Sequence, residues 1–336
     1  MRKLFIGLIL LLGVLFLLNH FTQFDDVVAV LQQSDWRFVG LALLCVAGWL
    51  LCTAATYQAV FAALGIERPL GPLVPLAAAA NFVNVVAPSM GMSGMAVLIS
   101  DARKRKLAPA HATVVGALFI LFEYAGFALY LVLGLIVLFR RDDITGPELA
   151  ASGVLLAMTA VLLVILYLGM RAPVALGRFL RWIAHTTNKL SRPITKRDAV
   201  SEERAEKFAH DIAEGLRSAR QPRKLLKPLF FALLGKGMLL CVLTAVFMAF
   251  QTPLSVGTLI AGFAIAYLFL IVSPTPAGVG VVEGVLTLSL SSMFVPLGEA
   301  TVITLSYRVL TFWLPLLFGF LSFQLLQIRK PFPASS

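Results

Sequence analysis

The sequence predicts an all-α polytopic membrane protein, with about six spanning helices plus two re-entrant helical hairpins in an inverted repeat. Three observations carry this prediction. The 336 residues are 59% hydrophobic and only 13% charged, whereas an average soluble domain is about 45–50% apolar and about 25% charged. The mean hydropathy is +0.90, so water could not wet the surface, and both a soluble enzyme and a disordered chain are excluded. Several apolar runs reach the length of about 20 residues that crosses a bilayer, and two shorter ones break at clusters of Pro, Ser and Gly.

The first span is expected over Leu4–Phe21, after Arg2 and Lys3. No small-residue cleavage site follows it, so it reads as a retained helix and not a signal peptide. Phe38–Leu64 is the second span. Leu70–Ala87 is apolar but opens on Pro69-Leu70-Gly71-Pro72 and contains Asn81 and Asn84; Pro88-Ser89-Met90-Gly91-Met92-Ser93-Gly94 then breaks it. The mixed residues between this break and the charged run Asp101–Lys106 reach only about half way across a bilayer at 1.5 Å per residue, so 70–100 reads as a re-entrant hairpin. Leu107–Phe139 and Leu149–Gly169 follow as the third and fourth spans, then a basic stretch over Arg171–Lys227, then a fifth span over Pro228–Phe250. Val256–Val272 is broken by Ser273-Pro274-Thr275-Pro276-Ala277-Gly278-Val279-Gly280, and the short return Val281–Phe294 makes a second hairpin. Glu299–Leu326 is the last span, ending at Arg329-Lys330.

The net charge of +11 comes from 28 Lys and Arg against 17 Asp and Glu. With the N-terminus inside and each hairpin returning to its own side, 23 of the 28 fall on the inner face and three outside, leaving Lys236 and Arg308 within spans. Basic residues favour the cytoplasmic side, so the expected location is a bacterial inner membrane, multi-pass, with both termini cytoplasmic. Within the basic stretch, Phe208, Ile212, Leu216 and Ala219 form one apolar stripe over Ser201–Gln221. That pattern suits a helix lying on anionic lipid, and the near absence of interleaved aromatics argues against nucleic acid.

The two halves compare closely. Pro88 precedes Glu123 by 35 residues, and Pro274 precedes Arg308 by 34. The spans expected around the two hairpins run in opposite directions, and inverted repeats with broken helices at mid-membrane are a transporter signature. A charge at bilayer depth costs roughly 2.5–3.5 kcal/mol on insertion scales, so Glu123, Glu283 and Arg308 should face one another or a cavity. Arg308 is expected near Glu123 or Glu283, where a guanidinium could grip a lipid phosphate. Lys236 is expected to snorkel to the inner face. The backbone N–H groups around Gly91, Gly94, Gly278 and Gly280 could form an anion site, or these glycines could simply allow close helix packing. Cys45, Cys52 and Cys241 form no disulfide framework, and His20, His111, His185 and His210 have no ligand spacing, so no metal, cofactor or catalytic residue is expected.

Ser273-Pro-Thr-Pro-Ala-Gly-Val-Gly-Val-Val-Glu283, followed by Tyr307-Arg308 and Trp313-Leu314-Pro315, resembles the second-half signature of the lysylphosphatidylglycerol synthase transmembrane-region family, also called flippase-like domain proteins. Asn84, Pro88, Gly91, Gly94 and Glu123 are similar to its first-half signature, with Met92-Ser93-Gly94 and Met95-Ala96-Val97 standing where the family carries paired glycines and an Asp and Arg. The likeness spans about 4–327 and implies a single flippase-like domain over 1–330: repeat one about 38–139, a cytoplasmic basic loop 171–227, and repeat two about 228–327. It implies substrate contacts at Arg308, Glu123, Glu283, Asn84, Pro88, Gly91, Gly94, Pro274, Pro276, Gly278 and Gly280. The chain ends ten residues past Leu326, so the synthase activity of the bifunctional relatives is not expected. The favoured reading is a lipid transporter or flippase-like protein that moves or handles a polar-headgroup lipid. The alternatives are a non-transporting scaffold of a lipid or envelope biosynthetic complex and, last, a membrane-embedded lipid transferase. Membrane lipids are the expected partners, and a homo-oligomer or an envelope-biosynthesis partner stays open.

Overall fold

A computed structural model describes residues 34–86, 93–105, 109–140, 146–172, 174–179, 181–182, 185, 226–273 and 275–328. The expected first span, Pro88, Gly91, Pro274 and the amphipathic stretch Ser201–Gln221 lie outside the described residues. Every regular element among those described is helical. The helices are α1 (Trp36–Ala63), α2 (Leu70–Val86), α3 (Ser93–Lys104), α4 (Pro109–Arg140), α5 (Gly146–Arg171), α6 (Leu226–Ala249), α7 (Val256–Val272), α8 (Val281–Ser292), α9 (Leu297–Arg308) and α10 (Leu314–Ile328). A 3₁₀ turn over Pro276–Gly278 precedes α8, and a π-turn over Val309–Trp313 joins α9 to α10.

Among the described residues, four stretches are long and apolar enough to cross a membrane: Trp36–Ala63, His111–Arg140, Leu226–Ala249 and Leu297–Leu326. Their outward faces are greasy. Leu44 is 71% exposed, Phe139 74% and Leu317 61%. Water would penalise such faces, and lipid chains solvate them. The chain is a membrane protein. By contrast α2 and α7 have 17 residues each and α8 has 12, which is about 18–26 Å of helix against a hydrocarbon core of about 30 Å.

Local chemistry sets the helix ends. Asp35 caps α1 by accepting the Arg37 N–H at 3.0 Å, and its own N–H donates to the Ala249 carbonyl at 2.9 Å, tying the start of α1 to the end of α6. Ser255 caps α7 by accepting the Thr258 N–H at 3.1 Å. The π-turn also has a local cause. Pro315 has no N–H to give the carbonyl four residues back, and the ladder relaxes into a wider turn in which the Leu314 N–H reaches the Val309 carbonyl.

The packing falls into matched contacts. Helices α1 and α6 share the most extensive interface. The first leg of each helical hairpin packs on the long helix that follows the other hairpin: α2 on α10, and α7 on α4. Each of these seams closes on a glycine. A Cβ on Gly319 of α10 would sit 2.6 Å from the Ala78 carbonyl oxygen of α2, and one on Gly134 of α4 would collide with the Ala264 methyl of α7. Gly134 lies 11 residues after Glu123 and Gly319 lies 11 after Arg308; Ala78 and Ala264 each lie 10 before a break proline, Pro88 and Pro274. Two apolar cores result. One gathers Phe127, Phe247, Phe263 and Leu286; the other gathers Phe61, Leu73, Leu98 and Val115; α4 runs through both.

Since no hydrophobic force drives helices together within lipid, these close backbone approaches supply much of the association energy. Gly134→Val and Gly319→Val should each destabilise the fold by about 1–3 kcal/mol through overpacking, read as a lower melting temperature of the purified protein in detergent. Gly40→Ala, where an added Cβ meets nothing within 4 Å, should leave that temperature unchanged or slightly raised.

Candidate functional site

Two buried ion pairs stand at membrane depth. In the first, Arg308 at the end of α9 is 4% exposed, and its Nε donates to Glu283 Oε1 at 2.7 Å. Its Nη2 donates to the Ala277 carbonyl at 3.0 Å, and the guanidinium lies 4.6 Å from the centre of the Phe312 ring. The break in the second hairpin makes this possible. Ala277 adopts φ 50° and the next residue, Gly278, φ 68°, a left-handed pair that turns the Ala277 carbonyl to the guanidinium; Gly280 has φ 82°. Glycine adopts such angles without penalty, whereas Ala277 is held there at a cost. Glu283 sits in the first turn of α8, and its other oxygen accepts the Gly280 N–H at 2.7 Å, which is a favoured place for a carboxylate on a helix dipole. One carboxylate thus fixes both the hairpin tip and Arg308.

The second pair joins different helices. Lys236 of α6 is fully buried and donates to Glu123 Oε2 of α4 and to the Tyr267 hydroxyl of α7, the latter at 2.6 Å. Gly126 makes this contact possible: a Cβ there would lie 3.0 Å from the Ala232 backbone, so α4 and α6 approach closely one turn away from Glu123 and Lys236.

Lys236 corrects the sequence reading, which had it snorkelling to the inner face. It is the eleventh residue of a 24-residue helix, about 15 Å from its start at 1.5 Å per residue. A four-carbon stem does not cover that depth, so the ammonium is neutralised in place. The expectation for Arg308 resolves in favour of Glu283, and Glu123 takes Lys236 instead. Sequence reading missed Lys236 and Tyr267 as members of this site. The available signal was that Lys236 is the one Lys or Arg between Lys227 and Arg308.

The glycine amides also depart from one of the two readings. The Gly280 N–H is taken by Glu283, the Gly278 N–H donates to Thr275 O at 3.1 Å, and the Gly94 N–H donates to Asn84 Oδ1 at 2.5 Å. These N–H groups hold the hairpins together and are not left open for an anion. Gly94 packs so closely that a Cβ would fall 2.8 Å from the Ala80 carbonyl oxygen, so Asn84 and Gly94 are the clasp of the first hairpin. Pro276 opens the 3₁₀ turn at the tip of the second.

A cavity of about 110 Å³ opens beside Arg308, lined by Asn81, Tyr267, Tyr307, Thr311 and Trp49 among others. It is bounded by α1, α2, α7, the 3₁₀ tip and the π-turn, so elements from both hairpins meet around it. Tyr267 belongs to both assemblies, since its hydroxyl accepts from Lys236 and its side chain lines the cavity. A space of this size holds a few waters or one small polar group. A guanidinium has five N–H donors, and two of the Arg308 nitrogens are engaged by Glu283 and Ala277. Among the described residues, no group of three or more His, Cys, Asp or Glu is placed to hold a metal ion.

These features define an integral membrane protein built from broken helical hairpins around a buried, charged cavity. The chain belongs to the lysylphosphatidylglycerol synthase TM region family, whose model matches residues 4–319. Membership makes it a membrane protein related to lipid handling. No curated protein matches the chain.

Removing one partner of a buried pair strands the other charge, at a cost of about 3–5 kcal/mol. Lys236→Met should therefore lower the melting temperature in detergent sharply, and Glu123→Leu together with Lys236→Met should recover most of that loss.

Proposed function

We propose that the protein is a flippase-like lipid transporter that passes a polar headgroup through the cavity beside Arg308 while the acyl chains stay in lipid. The observation that carries this reading is a buried arginine held on a broken helical hairpin and facing a cavity at membrane depth that Asn81, Tyr267, Tyr307 and Thr311 also line. Broken backbone survives there only when protein or water covers it. The short lengths of α2, α3, α7 and α8 support two re-entrant hairpins. The matched seams, α2 on α10 and α7 on α4, support an inverted repeat over 38–139 and 228–327.

Arg308 is the anchor for a headgroup phosphate, because a guanidinium stays charged when buried and presents paired donors. Glu283 holds Arg308 in position when no headgroup is bound. Glu123 and Lys236 keep a neutralised charge pair behind the cavity wall, with Tyr267 between that pair and the headgroup. No nucleotide-binding motif is found, so the energy comes from an ion gradient or from the lipid's own disequilibrium. The chain acts as a transporter and not as an enzyme, in a bacterial inner membrane with both termini cytoplasmic, as its basic segments favour. Membrane lipids are its partners and substrate.

The test is translocation of headgroup-labelled lipids in proteoliposomes. The intact protein should accelerate flipping of at least one polar-headgroup lipid over protein-free vesicles. Arg308→Ala should reduce that acceleration by about 10-fold or more, the loss of a charge-assisted hydrogen bond at roughly 1.5–3 kcal/mol. Unchanged flipping by a folded Arg308→Ala protein would remove Arg308 from the path.

A further inference from the structure

A second, larger recess lies away from the Arg308 cavity, between the α1–α2 connection and the first turns of α6. Its volume is about 980 Å³, at the upper end of the roughly 300–1,000 Å³ of ligand sites. Arg68 lines it and is 8% exposed. The Arg68 side chain is already anchored: Nη1 meets Asp101 Oδ2 at 2.8 Å, the guanidinium lies 4.9 Å from the centre of the Phe61 ring, and the Arg68 carbonyl accepts from Gln58. Its Nη2 is buried and has no hydrogen-bond partner. A charged donor left buried and unpaired is costly, and an accepting ligand atom that reached it from the recess would satisfy it.

The rest of the lining says which ligand. Lys227 adds a second cation, with Glu67 at the edge, and Leu226, Phe230 and Phe231 form an apolar wall. Leu226 is 66% exposed and Phe230 59%, side chains that a hydrocarbon chain would cover. Asp101 is shared between Arg68 and Arg105. With Lys227 and Glu67 counted, the cluster keeps one net positive charge, enough for a single phosphodiester. Arg105, paired with the same Asp101, adds basic charge beside Arg68, and basic groups of this kind attract an anionic leaflet.

The geometry points to a binding site for one anionic glycerophospholipid of the adjoining leaflet, its phosphodiester taken by Arg68 and Lys227 and an acyl chain lying along Leu226, Phe230 and Phe231. This site is separate from the Arg308 cavity and stands whether or not the protein translocates lipid.

Native mass spectrometry of the full chain, released from detergent after titration with single lipids, tests it. Phosphatidylglycerol should be retained as one tightly held copy, at least about 10-fold more tightly than phosphatidylcholine, which corresponds to about 1.4 kcal/mol. Lys227→Glu and Phe230→Ser both change exposed positions and should preserve the fold. The first should erase the preference for phosphatidylglycerol; the second should weaken both lipids by a similar factor. Deacylated glycerophosphoglycerol should bind at least 10-fold more weakly than the lipid, by the same conversion. Equal retention of the two lipids by the intact protein, or a preference untouched by Lys227→Glu, would overturn the proposal. Equal binding of the deacylated compound would replace the lipid with a water-soluble phosphate ester.

Discussion

Charge at membrane depth must be neutralised where it stands, and the described architecture is organised around that requirement. Four ionisable side chains, Glu123, Lys236, Glu283 and Arg308, form two pairs. Each pair depends on backbone that departs from, or crowds, regular helix packing. Arg308 needs the carbonyl of Ala277, which only a left-handed turn presents. Lys236 needs α4 and α6 so close that a Cβ on Gly126 would lie 3.0 Å from the Ala232 backbone. Neither pair need add net stability, because desolvation consumes much of the attraction. What they do is tie named elements together: Glu123 of α4 to Lys236 of α6, Lys236 to Tyr267 of α7, and Arg308 of α9 to Glu283 and Ala277 of the second hairpin.

The tip of the second hairpin shows how proline and glycine serve such a site. Proline removes donors and ends helices; glycine and the strained Ala277 redirect the carbonyls that remain. A side chain then closes each hairpin, Asn84 onto the Gly94 N–H and Glu283 onto the Gly280 N–H. The same logic recurs at Pro315, where a missing N–H is absorbed by a π-turn directly after Arg308. Wide turns of this kind often mark functional positions, and here the turn carries Thr311 and Phe312 to the cavity beside the guanidinium.

Much of this was legible in the sequence. Hydropathy and the Pro/Gly breaks place the second hairpin's helices to within about two residues, because nothing in the bilayer competes with those signals. The family was legible from Ser273–Glu283 and Tyr307-Arg308, since strained turns and buried charges tolerate few residue types. The charge partners were less so. Pairing depends on how helices rotate against each other, and one-dimensional spacing does not encode that rotation. Lys236 was misplaced because a lysine near a helix start and one at its centre differ only by where the helix begins. The use of the glycine amides was hidden for a related reason: whether an N–H is free depends on a carboxylate or an asparagine folding back across the break.

The two halves match in spacing but differ in how they are wired. Arg308 and Glu283 belong to the same half, so their bond travels with it as a unit. Glu123 and Lys236 come from opposite halves, and their bond spans the boundary. The cross-boundary pair therefore ties the two halves of the sequence together, and Tyr267, which accepts from Lys236, also lines the cavity beside Arg308.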